Sequence, residues 1–425
     1  MTLLTHGQRS VLRSLVVHGE RGRAVANLTA VWEVPPGPDI AQVEDAWLRL
    51  VAAHESLRTT FAADGDDLTA TVHPFAPAGV GNVEVEDGAD PAAQAAAIGA
   101  VLAAEPIDIA TGPPWRAVLT TELGDPVHLV VAIHHVAVDN EALRLLEPAF
   151  LRAVDGDPVA AEVQPADLAA VQSASADSPT LRHWVSVWPD LEPADRDPAD
   201  PSPRRRASLY SVEALAATRR VCERLRVSVQ AVLLAVGAVA LGRVEGRDRL
   251  SMALMAANRL DPRWAGLVGS LNQYAPVTID LDGGSHPDEF VAAVYPLCLT
   301  AYLNGSYDVD ALGAALAEAG IEDPDPTAFA KHFNFLGPVD TEPEEGSALR
   351  TGVSWRRSSQ RTGPNLHLAI AMGDGLLIGV GASEACLPGD APAEVAAAIE
   401  AGLLSLDRGD AATLAELDLT PLRPV

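Results

Sequence analysis

Two blocks of alternating predicted strands and helices, separated by a proline-dense stretch, constrain the fold of this chain more than any other feature. The stretch runs from residue 155 to 208 and contains eight prolines among acidic residues. Proline fixes φ and lacks a backbone N–H, so long regular elements cannot form there. The sequence has 425 residues, more than the roughly 250–300 at which a single hydrophobic core stops growing. We therefore expect two domains, residues 1–175 and 176–425.

Each block mixes helix and strand by its apolar spacing. In the first block, helical periodicity predicts helices, and continuous apolar runs predict buried strands; the main segments are helices 5–18, 39–54, 91–104 and 140–154, and strands 26–34, 68–73, 115–121 and 127–133. The second block repeats this alternation with strands 208–212, 250–255 and 272–281, helices 213–224, 228–244, 288–302 and 391–406, a strand within 328–336, and a hairpin of residues 366–372 and 376–382. Strand–helix alternation in both blocks predicts an α/β fold with two related domains.

The charge balance excludes some classes of partner. The chain carries 58 acidic and 30 basic side chains, a formal net charge of −28. Such a surface repels phosphate backbones and anionic lipids, so we expect neither nucleic acid nor membrane as a partner. A short basic cluster, Arg204 to Arg206, lies in the proline-dense stretch, and we expect it to be a solvated linker.

Cysteine usage and the N-terminus indicate the compartment. The three cysteines are widely spaced and form no CxxC pair, which fits a reducing cytosol better than a disulfide framework. The N-terminus lacks the basic and apolar regions of a signal peptide, and no apolar run approaches the length of a membrane span. We expect a cytoplasmic monomer.

A histidine pair at the end of a predicted strand is the main candidate for chemistry. The apolar strand 127–133 runs into His134 and His135, Asp139 follows, and Asn140 opens a predicted helix. Imidazole is the usual proton acceptor near neutral pH. Neighbouring side chains on a strand face opposite ways, so one histidine can reach a cavity while the other packs internally. A buried Asp139 needs a partner to stay charged, which favours a role in organising the loop.

Other chemistries find no sequence support. The chain has no G-x-S-x-G elbow, Walker-type glycine loop or dinucleotide fingerprint. His128, His332 and His367 lack the spacing of metal ligands, so we expect neither a bound metal nor a bound cofactor.

The pattern HHxxxD at residues 134–139 resembles the condensation domains of nonribosomal peptide synthetases, within the chloramphenicol-acetyltransferase-like superfamily. Further segments match the motifs of that family in order: residues 4–9 (LTHGQR), 54–61 (HESLRTTF), 107–116 (IDIATGPPWR), 257–259 (ANR) and 267–272 (LVGSLN). No carrier-protein or adenylation motif is found, so the resemblance implies a free-standing condensation-type protein.

The resemblance implies two acetyltransferase-like lobes in a V-shaped pseudo-dimer with a central tunnel. Carried over by position, His135 is the catalytic residue and His134 is structural. Asp139 pairs with Arg58 and holds the shape of the loop. The backbone N–H of Asn140 is a candidate for holding the oxyanion, although the family usually has Gly at this position.

The implied activity is transfer of an acyl or aminoacyl group from a carrier-protein thioester to an amine or hydroxyl, within antibiotic or other natural-product biosynthesis. The donor would be presented on the phosphopantetheine of a peptidyl or acyl carrier protein, and the acceptor would be a small molecule or carrier-bound. Two alternatives remain: an acyltransferase that uses a coenzyme A thioester, and a catalytically silent module that recruits a carrier protein. The sequence does not identify the donor, the acceptor or the bond formed.

Overall fold

The computed structural model describes residues 2–23, 26–64, 67–75, 79–173, 179–192, 195, 202–322, 324–338, 353–357 and 364–420. The chain divides into two compact units. Unit 1 comprises Met1–Leu181, Ala257–Gln273 and Ser306–Leu312, and unit 2 comprises Arg182–Ala256, Tyr274–Gly305 and Gly313–Val425. Two segments from the second half of the sequence thus belong to unit 1, which a single linear boundary does not describe. The boundary at residue 175 itself stays a prediction.

Unit 1 is a four-stranded sheet with helices. Its helices are α1 (His6–Arg23), α2 (Ile40–Ala53), α3 (Pro91–Ala104), α4 (Asn140–Val154) and α5 (Pro165–Ser173). Its strands are β1 (Asn27–Glu33), β2 (Thr59–Asp64), β3 (Asp67–Val72), β4 (Gly81–Glu84), β5 (Trp115–Glu122) and β6 (Asp125–His134). The sheet order is β1-β6-β5-β4, with β6 antiparallel to β1 and β5 and β4 parallel to β5. β2 and β3 form a separate hairpin.

The central strand β6 ends at the histidine pair, and its burial explains its sequence. Every residue from Leu129 to His134 is buried, and α3 packs against both β1 and β6. A strand covered on both faces needs apolar residues throughout, which is why this segment is a continuous apolar run. The core beneath it includes Trp47, and the ring centroids of Trp47 and Trp115 are 5.1 Å apart in an edge-to-face contact.

Unit 2 contains a seven-stranded sheet. Its helices are α6 (Pro179–Val187), which begins just before the unit boundary, α7 (Val212–Leu225), α8 (Val229–Glu245), α9 (Pro287–Leu303), α10 (Val309–Glu318), which begins in unit 1, and α11 (Ala391–Arg408). Its strands are β7 (Arg204–Ser211), β8 (Arg249–Ala256), β9 (Gln273–Asp280), β10 (Lys331–Pro338), β11 (Val353–Arg357), β12 (Leu366–Met372) and β13 (Leu376–Ser383). The strand order is β11-β7-β13-β12-β10-β8-β9. Helix α8 is buried at every residue from Ala231 to Gly242, so it is apolar on all sides.

A buried charge network lies at the start of β10 in unit 2. Lys331, the only lysine in the sequence, places its Nζ 2.7 Å from Asp195 Oδ1 and 2.6 Å from Glu245 Oε2. Arg247 Nη1 lies 2.6 Å from the same Asp195 oxygen. Because the Lys331 side chain is 5% exposed and that of Asp195 is fully buried, each charge depends on its partners.

The predicted α/β class is confirmed, and most predicted helices and strands are present. The prediction that the basic cluster is a solvated linker was wrong. Arg204 to Arg206 begin β7, which pairs with β13 and β11. The predicted segments also omitted β2, β4, α10 and β11. The V-shaped arrangement and its tunnel stay predictions. Within the described residues no single helix has the length and apolarity of a membrane span; α7 and α8 meet those criteria only together, as a pair bent by 112°.

Candidate functional site

The histidine pair lies where β6 turns into α4. His134 is the last residue of β6, residues 135–137 form a turn, and Asp139 caps α4, which begins at Asn140. The His135 backbone N–H donates to Ala26 O (2.6 Å), and the Ala137 N–H donates to His134 O (2.9 Å). The side chains of Val136, Ala137 and Val138 are fully buried. The loop is therefore anchored in the core of unit 1 on both sides of His135.

His135 is held in one tautomer by the loop itself. Its Nδ1 lies 2.9 Å from the Val138 carbonyl oxygen. Since a carbonyl only accepts, Nδ1 carries the hydrogen and the neutral ring keeps its lone pair on Nε2. This Nε2 lies 3.5 Å from Asn272 Nδ2, and the residue is only partly buried. His135 thus presents a proton-accepting nitrogen from a fixed ring.

His134 has a different environment. It is 1% exposed, and its Nδ1 accepts a hydrogen bond from the Val136 N–H at 3.1 Å. Burial, together with the neighbouring His135, lowers the pKa of His134 to about 3. A ring that stays neutral and is used in an internal hydrogen bond is a packing residue, so the structure gives the two histidines unequal surroundings.

Asp139 accepts hydrogen bonds from three groups. Its Oδ1 accepts from the Ala142 N–H, as the N-cap of α4, and from Arg259 Nη2, each at 2.8 Å. Its Oδ2 accepts from the Leu271 N–H at 3.0 Å. The two side chains of the ion pair are 3% and 8% exposed for Asp139 and Arg259. A buried carboxylate with donors on both oxygens fixes the loop.

The predicted partner of Asp139, Arg58, was wrong. Arg58 Nη1 donates instead to the His73 carbonyl oxygen at 2.6 Å, and the His73 N–H returns a bond to Arg58 O at 2.9 Å. Arg58 ends a 3-10 turn, Glu55–Arg58, and these two bonds direct it to the end of β3. Within the described residues, the role of Arg58 is to hold the β2–β3 hairpin.

Arg259 was missed as a site residue. Its guanidinium also binds carbonyl oxygens of its own segment, donating from Nη1 to Leu267 (2.8 Å) and Trp264 (3.1 Å). The preceding Asn258 has a φ of +56° and donates from Nδ2 to Leu271 O at 2.8 Å. The ANR motif at residues 257–259 includes Arg259, but the motif alone does not indicate that residues 257–273 pack in unit 1.

The opening motif holds the same segment from another side. Thr5 Oγ1 donates to Ser270 O at 3.0 Å, while Thr5 and Gln8 exchange side-chain to backbone bonds at the start of α1. A Cβ on Gly7 would lie 2.5 Å from the Ser270 oxygen, closer than real Cβ contacts, so only glycine allows this approach. Residues 270–271 are therefore fixed between α1 and Asp139.

Asn140 is the first residue of α4, and its side chain is exposed. The N–H groups of Ala142 and Leu143 are bonded to Asp139. Within the described part of the chain, this leaves the N–H groups of Asn140 and Glu141 pointing out of the N-terminal end of α4. The positive end of the helix dipole favours negative charge at this position.

No cluster of three or more His, Cys, Asp or Glu side chains suited to a metal ion is found in the part of the chain that the structure describes. The described residues of the site provide one oriented imidazole, a helix N-terminus and a buried ion pair that holds the loop. Such an arrangement can accept a proton and stabilise an oxyanion.

Comparison with known proteins identifies the family. The model of the condensation domain matches residues 3–345. Chondramide synthase cmdD of Chondromyces crocatus is 27% identical over 285 residues, 62% of this chain and 7% of the synthase. The chain thus spans less than a tenth of the length of that curated relative.

Solved structures agree in fold. The condensation domain of the monacolin K polyketide synthase MokA has a TM-score of 0.76 at 18% identity, covering 97% of this chain and 99% of that one. A structure on condensation-domain-mediated chain release from the enacyloxin polyketide synthase has a TM-score of 0.75 at 20% identity, covering 100% and 85%. Because the family model covers more than half of the chain, this protein belongs to the condensation domain family.

Proposed function

We propose that this protein transfers an acyl or aminoacyl group from a carrier-protein thioester to an amine or hydroxyl, with His135 as base. Membership of the condensation domain family supports an acyl-transfer reaction. The observation that carries the proposal is the 2.9 Å contact between His135 Nδ1 and Val138 O, because it leaves Nε2 as the proton acceptor. The free-standing arrangement stays a prediction.

The reaction needs no covalent enzyme intermediate. The acceptor nitrogen or oxygen attacks the thioester carbonyl carbon while Nε2 of His135 takes its proton. The oxyanion forms opposite the helix N-terminus at Asn140, whose backbone N–H can donate to it. Collapse breaks the carbon–sulfur bond, and the imidazolium returns the proton to the leaving thiolate. The products are an amide or ester and the free carrier thiol.

The test is turnover by variants of the histidines. Purified carrier proteins would be loaded with a panel of amino acids and offered with amine and alcohol acceptors. His135→Ala is expected to lower the rate on the order of 10²–10⁴-fold, the usual contribution of a general base. His73→Ala is the matched control, because His73 is exposed and its contact with Arg58 uses the backbone oxygen. Undiminished turnover by His135→Ala would refute the role of base.

The same assay separates the alternatives. Turnover only with coenzyme A thioesters of the same acyl groups would identify a coenzyme A-dependent acyltransferase. Binding of loaded carrier protein without turnover of any donor would identify a silent recruiting module, and it would contradict the proposal.

A further inference from the structure

We infer that Ser56 is a positioning residue that keeps the Val138 carbonyl oriented toward His135; this inference rests on the proposed function. Ser56 Oγ donates a hydrogen bond to the Ala137 carbonyl oxygen. Ala137 and Val138 are both fully buried. The Ser56 bond therefore fixes the peptide group that directly precedes the carbonyl to which His135 Nδ1 donates.

The adjacent peptide group is fixed from a second direction. The N–H of the Val138–Asp139 peptide donates to Gly269 O at 3.2 Å, and the oxygen of that peptide accepts from His135 Nδ1 at 2.9 Å. Two consecutive peptides thus have their rotation restricted, one by Ser56 and one by Gly269. Of the Ser56 and Gly269 restraints, the Ser56 contact is the one made by a side chain, so it can be removed by substitution.

Ser56 itself is rigidly placed. It is 1% exposed and lies in the 3-10 turn Glu55–Arg58. Trp115 Nε1 donates to Leu57 O at 2.9 Å, and Gln164 bonds the Glu55 N–H and Ala53 O at 3.0 and 2.9 Å. The turn is therefore a fixed support outside the loop, so the hydroxyl acts on the loop rather than following it.

The consequence is chemical. Without the Ser56 hydroxyl, the Ala137–Val138 peptide loses its side-chain restraint and the Val138–Asp139 peptide keeps only the Gly269 bond, so the Val138 oxygen is held less firmly toward Nδ1. His135 then samples the tautomer with its hydrogen on Nε2, in which the nitrogen facing the acceptor cannot take a proton. The loss is expected to appear in kcat, about tenfold, with KM little changed, since the effect of one hydrogen bond is of this size.

The experiment reads the tautomer directly. Protein labelled with ¹⁵N-histidine would be compared for the parent, Ser56→Ala and Thr59→Val, with the His135 signals identified by their loss in His135→Ala. Thr59 provides the matched control: it is buried, and its hydroxyl donates to Glu55 O in the same turn at 2.7 Å, away from the loop. We expect the parent and Thr59→Val to show a protonated Nδ1 and an unprotonated Nε2, and Ser56→Ala to show exchange between tautomers.

Unchanged His135 signals in Ser56→Ala would overturn the inference. An equal change in Thr59→Val would also overturn it, because general loosening of the turn would then be sufficient. If Ser56→Ala does not fold, Ser56→Cys puts a larger thiol, which is a weak donor, at the same position and is judged by the same signals. A tautomer shift in a protein that turns over no thioester would refute the proposed function and leave the positioning role supported.

Discussion

The ion pair between Asp139 and Arg259 makes the sharpest prediction about how the site is held. Both side chains are buried, at 3% and 8% exposure, and the pair is 2.8 Å long. Replacing Arg259 by Met leaves the carboxylate without its cation and removes the donor to the Leu267 oxygen, while the Trp264 oxygen keeps only the Leu267 N–H. Breaking a buried pair in this way costs about 3–5 kcal/mol. Asp139 retains two backbone N–H donors, so we expect about 3 kcal/mol.

Arg58 provides the matched comparison, because the resemblance to the family implies the same role for it. Its side chain makes one hydrogen bond to the His73 oxygen. Loss of a single bond of this kind costs about 0.5–1.5 kcal/mol. Arg58→Met should therefore be at least about 1.5 kcal/mol less destabilising than Arg259→Met, the difference between these two estimates.

Urea unfolding followed by tryptophan fluorescence measures both effects, since the unit 1 core contains Trp32, Trp47 and Trp115. Each arginine variant would also be combined with Asp139→Asn. Groups in contact show coupling of about 0.5–3 kcal/mol, whereas separate sites add within about 0.5 kcal/mol. Coupling of Asp139 to Arg58 rather than to Arg259 would refute the assignment.

Two further predictions concern buried ionisable groups. Burial lowers the pKa of His134 to about 3 in the folded protein, from its ordinary value of 6.5. Between these pH values the His134 ring therefore binds a proton in the unfolded chain but not in the folded one. His134 thus favours folding fully above pH 6.5, and this contribution is lost as the pH falls toward 3. The variant His134→Asn keeps an acceptor for the Val136 N–H. It should reduce the slope of the unfolding free energy against pH, between pH 6 and 4, by about 1.4 kcal/mol per pH unit. Urea titrations at these pH values measure that slope, and an unchanged slope would mean that the His134 ring is already charged in the folded protein. Lys331 lies between two carboxylates at 5% side-chain exposure, so an amine-reactive acylating reagent should modify it only after unfolding, and mass spectrometry that finds it modified in the native protein would contradict its burial.

The local parts of the fold could be predicted because they depend on periodicity within one segment. Helix α2 presents Val43, Trp47 and Leu50 on one buried face, and β6 is continuously apolar because both faces are covered. Strand β4 was missed for the converse reason. All four of its residues are exposed, so it pairs with β5 at the sheet edge through its backbone and shows no apolar alternation.

The histidine roles were predictable to the same extent. That the two rings differ follows from strand geometry, and the structure places His134 in the core and His135 on the turn. The contact that selects the His135 tautomer was not predictable, because it depends on the Val138 carbonyl, and backbone direction in a turn is not written in the side chains. Ser56 was missed for a related reason: its acceptor is the backbone oxygen of Ala137, 81 residues away.

The misassigned arginine shows which physical criterion was absent. Charge complementarity required a cation for Asp139, and any arginine meets that requirement. The carboxylate, however, also accepts the Leu271 N–H, so its partner segment must supply a cation and a backbone donor together. The segment 257–273 does so because Arg259 binds carbonyl oxygens of its own loop, while the neighbouring Asn258 binds the Leu271 oxygen. Several donors in a fixed fork are needed for this, which explains arginine rather than lysine at position 259. The cationic partner of a buried carboxylate at a helix N-cap is therefore expected to be an arginine that also binds the carbonyl oxygens of its own loop. The position of an arginine in a matching motif does not show this.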